Sequence, residues 1–292
     1  MRARFLNTYG RHRPRCKGWC LAPEVDSEHN AVPASVLLIV IPTGLFVLLV
    51  PFPTYWILES IAIALLVLSL VYLILAMYTE PGILPTEAIS ERRPEDARRP
   101  RVTHVVVEGK RHELGAFRAK MCRQTENCVE EFDHYCPWVG NAVGRRNYRY
   151  FIAFVTTVSF LALVVGASSC IHLSAVKFGS GQSEADEREP VLGSSWGEVI
   201  LMVLVAYTII VLCSVCGLVC FHLRLIAINQ TTNENIRGIY FSHKNPHDLG
   251  ACRNCINFAL RPVPRSRVIS FIGGSGDAVT RVPTTDEGIE MI

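Results

Sequence analysis

The sequence predicts an all-α integral membrane protein of four transmembrane helices, with a cytosolic cysteine-containing loop domain between the second and third spans. Three observations predict it. Half of the 292 residues are hydrophobic and only 19% are charged, too apolar a balance for an ordinary soluble enzyme of this size. Four stretches, Val32 to Val50, Tyr55 to Met77, Phe151 to Val176 and Val199 to Ile228, approach the roughly 20 apolar residues that cross a hydrocarbon core of about 30 Å. Lys and Arg are unevenly distributed about these stretches, which sets an orientation.

A buried helix of a soluble domain is the alternative for any one run, but four in so short a chain leave little polar sequence to wrap them. The first run contains Pro42 and Gly44, which membrane helices tolerate when neighbours satisfy the freed backbone groups. Glu59, just inside the second, is expected to face the bundle or the interface. The basic, polar segment Met1 to Asn30 does not resemble a signal peptide. Arg2, Arg4, Arg11, Arg13, Arg15 and Lys17 precede the first span, and Arg92, Arg93, Arg98, Arg99, Arg145, Arg146 and Arg149 populate the middle loop. The segment Lys177 to Trp196 is instead rich in acid, with Glu184, Asp186, Glu187 and Glu189. Both termini and the middle loop are therefore expected in the cytosol. The organisation is an N-terminal arm (1–31), spans one and two (32–78), the loop domain (79–150), spans three and four around a short acidic lumenal loop (151–228), and a C-terminal region (229–292).

Of the eleven cysteines, Cys16, Cys20, Cys122, Cys128, Cys136, Cys252 and Cys255 fall in segments expected to be cytosolic, where thiols stay reduced. Cys213, Cys216 and Cys220 share a helical face within the fourth span. Thiolates in hydrocarbon are costly and no histidine accompanies them at depth, so helix packing is their expected role. Cys16 and Cys20 lie near the first span, as free thiols or as acylation sites. The net charge of +3 is too small to imply nucleic-acid binding.

Chemistry concentrates in "EEFDHYCPWVGNAVGRRNYRYF", Glu130 to Phe151. A cysteine attacks as thiolate, and His134 is placed to take the proton of Cys136 if the local turn brings them together. Asp133 would orient that imidazole and stabilise its charged form. Pro137 restricts Cys136 to extended or turn geometry, and Trp138 suits the headgroup region. By themselves these three residues are weak evidence, since a lone histidine beside a cysteine is more often structural.

The order of the surrounding motifs resembles that of the DHHC-type protein S-acyltransferases (palmitoyltransferases). The tetrad here reads Asp133, His134, Tyr135, Cys136, with tyrosine for the second histidine, and "CPWVGNAVGRRNYRYF" is similar to the family's run into the third span. "EPG" at Glu80 to Gly82 resembles the Asp-Pro-Gly motif after the second span, and "TTNE" at Thr231 to Glu234 the Thr-Thr-x-Glu motif after the fourth. "NPHDLGACRNCINF" resembles the C-terminal amphipathic motif, with Asn254 as its structural asparagine. The resemblance implies a four-span enzyme in which Cys136 takes a long acyl chain from palmitoyl-CoA as a thioester, His134 acts as base, Asp133 orients it, and the chain passes to cysteines of membrane-associated proteins. It implies a multi-pass protein of the endomembranes (Golgi or endoplasmic reticulum) or plasma membrane with its active site in the cytosol. Thr231, Thr232, Glu234 and Asn254 take the structural roles. Arg145, Arg146 and Arg149 would meet the CoA phosphates or simply anchor the helix end by the positive-inside bias, and Trp138 would border the same site. Phe160 and Leu161 are candidates for closing the far end of the acyl slot.

Members of that family usually hold structural zinc in this loop, with four nitrogen or sulfur ligands to each ion. The corresponding positions here hold Cys128, Thr125, Cys122, Met121, Ala142 and Tyr135, with Glu108 and Arg111 upstream, which leaves two sulfurs. Zinc is therefore not expected, and Phe132, Tyr135, Trp138 and Tyr148 are candidates to fill its volume. The lost ligands also admit a catalytically inactive scaffold that keeps the acyltransferase fold. A small transporter would want more charged or helix-breaking residues at mid-span.

Overall fold

A computed structural model of the chain describes residues 30–50, 52–84, 118–178 and 194–267, together with the backbones of four short strands, β1 (His12–Arg15), β2 (Cys20–Pro23), β4 (His104–Val107) and β5 (Lys110–Glu113). The acidic connection, Pro94 to Arg101 and the tail beyond 267 lie outside the described residues, as do the side chains of Cys16, Cys20, His104, Glu108, Arg111 and His112.

Four helices are long and apolar enough to cross a membrane: α1 (Val32–Leu49), α2 (Phe52–Tyr78), α3 (Tyr148–Phe178) and α4 (Ser194–Ala227). They fall on the four stretches read from the sequence, with α3 beginning at Tyr148 and α4 at Ser194 rather than at the first residue of each apolar run. The chain is thus a mostly helical multi-pass membrane protein. Helix α3 is central, packed on both α2 and α4. Leu37, Ile57, Val67, Ile74, Val203 and Ile210 are exposed on the bundle's outside, where hydrocarbon rather than water is their solvent.

Two contacts show how the bundle tolerates its irregular residues. Pro42 has no N–H for the carbonyl of Leu38, and the hydroxyl of Tyr207 on α4 donates to that oxygen at 2.6 Å. Gly166 of α3 lies against Thr208 of α4, whose Oγ1 would stand 2.6 Å from a Cβ at that position, so the helices meet at a small-residue contact. Glu59 is 1% exposed and faces the bundle. Of the two candidates for the slot's far end, Leu161 is buried in the core while Phe160 points outward, 55% exposed.

The described residues between α2 and α3 form short strands rather than the helix of an all-α fold. β3 (Ile83–Leu84), β7 (Asn127–Val129) and β6 (Lys120–Cys122) make a three-stranded antiparallel sheet, and β8 (His134–Cys136) pairs with β9 (Asn141–Val143) in a hairpin. Two further short helices follow α4: α5 (Thr232–Ile236) and α6 (Ala251–Leu260).

Two asparagines fasten the hairpin to the bundle. The last carbonyls of a helix have no partner within it. Asn141 Nδ2 donates to the carbonyl of Met77 at 2.9 Å, and Asn147 Nδ2 donates to that of Ala76 at 3.1 Å, so both satisfy the end of α2. Asn147 also donates to Ala142 O at 2.8 Å and accepts from Gly144 N at 2.9 Å, closing the turn into α3. Gly144 has no room for a side chain, since a Cβ would lie 2.4 Å from Val129 Cγ1 and 2.7 Å from Pro81 O.

Candidate active site

Strand β8 presents His134 and Cys136 at the point where the hairpin meets the end of α3. Cys136 is 6% exposed and joins Val139, Val143, Phe151, Phe154 and Val158 in one apolar cluster that continues down the bundle. Its carbonyl accepts from the N–H groups of Val139 at 3.2 Å and Gly140 at 2.9 Å, so the chain turns back sharply after the thiol. The first turn of α1 is tied to the same bend: Ala31 N donates to Pro137 O at 2.9 Å and Ser35 Oγ to Trp138 O at 2.8 Å. The Trp138 indole itself is half exposed.

Asp133 lies beneath the histidine, 3% exposed, with His134 Nδ1 at 2.7 Å from its Oδ2. Thr232 supplies two more donors: its N–H reaches Oδ1 at 2.7 Å and its hydroxyl reaches Oδ2 at 2.7 Å. Burial favours the neutral acid, but the hydrogen bond and charge of His134 and the Thr232 N–H outweigh it and hold the Asp133 pKa below the ordinary carboxylate value. For His134 burial would likewise disfavour the charge. Hydrogen bonds to Asp133 and Cys136 prevail and push its pKa up to about 9. At neutral pH His134 is therefore an imidazolium between a carboxylate and the Cys136 sulfur.

Thr232 is aimed by a capping box. Glu234 N donates to Thr231 Oγ1 at 3.2 Å, and Thr231 N donates to Glu234 Oε2 at 2.9 Å. Glu234 is also clamped by Arg118, whose Nε reaches Oε1 at 2.7 Å and whose second nitrogen pairs with Oε2. Arg118 further donates to the side chain and carbonyl of Asn229, both at 3.1 Å. Asn254 holds α6 to the end of α4, donating to Ala227 O at 2.8 Å and to Asp248 Oδ1 at 2.7 Å and accepting from Leu249 N at 3.1 Å.

The three arginines after the hairpin have different partners. Arg146 is committed: it pairs with Glu80, donates to the Glu80 carbonyl at 3.0 Å and to Pro264 O at 2.9 Å. Glu80, itself 2% exposed, also receives Gly82 N at 2.8 Å, which makes "EPG" a clamp on the start of α3. These bonds hold Arg146 within the fold. Arg145, paired with Glu130, and Arg149, bonded to the Arg261 carbonyl, line a cleft beside Asp133 with Arg118 and Arg261.

At the positions expected to bind zinc the side chains are packed. Cys122, Val129, Phe132 and Ala142 form a buried cluster with Tyr135 against it. Thr125 Oγ1 donates to Asn127 Oδ1 at 2.8 Å, and Cys122 Sγ lies 3.6 Å from Gln124 Oε1. Burial pushes the Cys128 thiol up to about 12. Among the described residues no three His, Cys, Asp or Glu side chains converge as a ligand set. Of the proposed fillers Phe132 and Tyr135 occupy this cluster, whereas Trp138 is outside it and Tyr148 packs instead against Phe151, His222 and Phe258.

His222 and Arg118 fall outside every motif read from the sequence, and Asn141 and Asn147 fall within "CPWVGNAVGRRNYRYF" without a role assigned to them. For His222 the sequence signal is polarity near the end of the fourth span.

The family model for "DHHC palmitoyltransferase" matches residues 111–239. Among curated proteins the chain is similar to Palmitoyltransferase ZDHHC18 of Mus musculus, 31% identical over 89% of this chain and 73% of the relative. It is 33% identical to Palmitoyltransferase ZDHHC9 of Pongo abelii over 77% of this chain and 67% of that protein. "Probable protein S-acyltransferase 6" of Arabidopsis thaliana is 32% identical over 80% of this chain, which spans 62% of the plant protein's length. With the motif order, the four spans and these matches together, the chain belongs to the DHHC palmitoyltransferase family of protein S-acyltransferases.

Proposed function

We propose that Cys136 carries the acyl group, with His134 as its proton partner and Asp133 as the group that orients and charges that histidine. The observation that carries this reading is the line Thr232, Asp133, His134, Cys136, buried at Asp133 and Cys136 and partly buried at the other two, in which each side chain is held by the one before it. The Cys136 thiolate attacks the carbonyl of a long-chain acyl-CoA, palmitoyl by the names of the relatives. The acyl carbon to CoA-sulfur bond breaks, and the leaving thiolate takes the proton held by His134. In the second half a target cysteine gives its proton to His134 and attacks the Cys136 thioester, which frees the enzyme as thiolate. Donor, intermediate and product are all thioesters, so the exchange is close to balanced in energy.

The apolar cluster that runs from Cys136 past Phe151, Phe154 and Val158 to Leu161 offers the acyl chain a path inside the bundle. Arg145, Arg149 and Arg261, which line the adjoining cleft, suit the CoA phosphates. In this reading the hairpin, the loop and both termini face the cytosol, in an endomembrane or the plasma membrane, and the targets are membrane-associated proteins with cytosolic cysteines. The packed donors of the loop do not fit a tetrahedral zinc, and the loop keeps its shape by side-chain packing and by the Asn141 and Asn147 bonds to α2.

Purified protein incubated with labelled palmitoyl-CoA is expected to acquire a hydroxylamine-labile label that Cys136→Ser abolishes. A label of equal strength on the variant refutes the assignment and favours the scaffold. Elemental analysis of the same sample is expected to find well below one zinc per chain, and a stoichiometric content would overturn the metal-free loop.

A further inference from the structure

We propose that His222, braced by Tyr148, is a positioning residue that fixes the plane of the His134 ring against Cys136; this rests on the acyl-enzyme reading above. Asp133 holds His134 through one nitrogen, at 2.7 Å. One hydrogen bond at Nδ1 leaves the imidazole able to rock through small coupled changes of χ1 and χ2. Rocking swings the other nitrogen away from the sulfur. Two rings remove that freedom. Phe151 meets His134 edge-on, with centroids 5.2 Å apart and planes at 73°, and His222 lies 6.0 Å away, tilted by 37°. Phe151 and His222 also meet each other edge-on, at 5.1 Å and 73°, so the three rings form a closed cluster.

His222 is 1% exposed, near the end of α4, where leucine or phenylalanine would fill the space without the cost of burying a polar ring. Its polarity is used: Tyr148 Oη lies 3.0 Å from His222 Nδ1, which sets the ring's rotation. Tyr148 is backed in turn by Phe258 of α6, edge-on at 5.7 Å. A chain of contacts thus runs from the C-terminal helix through α3 and α4 to the histidine that holds the proton. The titratable groups facing His134 are Asp133 and Cys136 from its own segment, Tyr148 from α3 and His222 from α4. Helix α5 brings the neutral Thr232, and the adjoining cleft carries Arg118, Arg145, Arg149 and Arg261.

The test is the rate of hydroxylamine-labile acylation by labelled palmitoyl-CoA between about pH 6 and 10, measured on full-length protein for wild type, His222→Leu, His222→Asn and Tyr148→Phe, with thermal melts alongside. His222→Leu is expected to lose about tenfold in rate, as a misaligned proton partner does. Its alkaline limb is expected to move to lower pH, because a rocking ring gives up the Cys136 contact that helps hold its proton. His222→Asn keeps a polar atom near the Nδ1 position for Tyr148 and is expected to recover part of both. A wild-type rate and limb in His222→Leu would overturn the proposal. So would equal losses in both His222 variants with an unmoved limb, which is the mark of packing alone. If His222→Leu does not fold, Tyr148→Phe decides, since it removes only the hydroxyl: a smaller shift in the same direction supports the role and an unmoved profile refutes it. Absence of label on the wild type would overturn the acyl-enzyme reading itself, and this proposal with it.

Discussion

Glu234→Gln is expected to weaken the fold and the active site together, because that carboxylate joins the cap of α5 to Arg118. Glu234 and Arg118 have side chains only 8% and 10% exposed, so neither charge is screened by water. Gln keeps one oxygen, enough for either the Thr231 N–H or one Arg118 nitrogen, and loses the charge and the second acceptor. Breaking a buried ion pair from one side costs about 3–5 kcal/mol. The low end applies here, about 3 kcal/mol, because Asn229 still accepts twice from Arg118. For a protein of this size that lowers the melting midpoint by roughly 6–12 °C. The loosened cap also presents Thr232 less firmly to Asp133, and acyl-enzyme formation is expected to fall about tenfold or more. Thermal unfolding in detergent and the rate of hydroxylamine-labile labelling measure the two effects. A cycle of Arg118→Met, Glu234→Met and the double variant isolates the pair, with an expected coupling of at least about 1.5 kcal/mol. A Glu234→Gln melt within about 1 °C of wild type, or strict additivity in the cycle, would refute the reasoning.

Gly144→Ala must displace Val129 or the strand beneath it, and a loss of about 1–3 kcal/mol in thermal stability is expected. The imidazolium of His134, with its pKa pushed up to about 9 in the folded protein, stabilises the native state fully below the ordinary histidine value. That contribution is lost as pH rises through about 9, so unfolding midpoints are expected to fall across that window, and His134→Gln should flatten the fall. In the native protein a maleimide probe is expected to reach Cys252 and Cys255, both exposed on α6, well before Cys122 and Cys128, which are buried. Peptide mapping after timed labelling would expose the reverse order.

Spans and motifs are legible from sequence for a physical reason. A membrane helix satisfies its own backbone and meets one solvent, so run length and polarity predict it without knowledge of its neighbours. The proposed nucleophile and its partners are equally local, since Asp133, His134 and Cys136 are nearly contiguous and the hairpin only has to orient them. The β-strands between the second and third spans are less legible: each described one is four residues or fewer, and pairing with a neighbour rather than periodicity creates them. Arg146 shows the limit of reading charge from sequence. Three arginines within five positions look alike on paper, yet Arg145 pairs with Glu130, Arg146 with Glu80 and Arg149 with the Arg261 carbonyl.

By itself the sequence determined the number of spans, the order of the motifs and the family, because these depend on composition and on residues close along the chain. The tertiary structure alone decided which buried groups serve the site: that Thr232 from beyond the fourth span completes the shell of Asp133, that Arg118 fixes the helix carrying it, and that His222 faces the catalytic histidine. Those partners are far apart in sequence. Their hydrogen bonds and ring contacts act over a few ångströms, and only the folded bundle brings them within that reach.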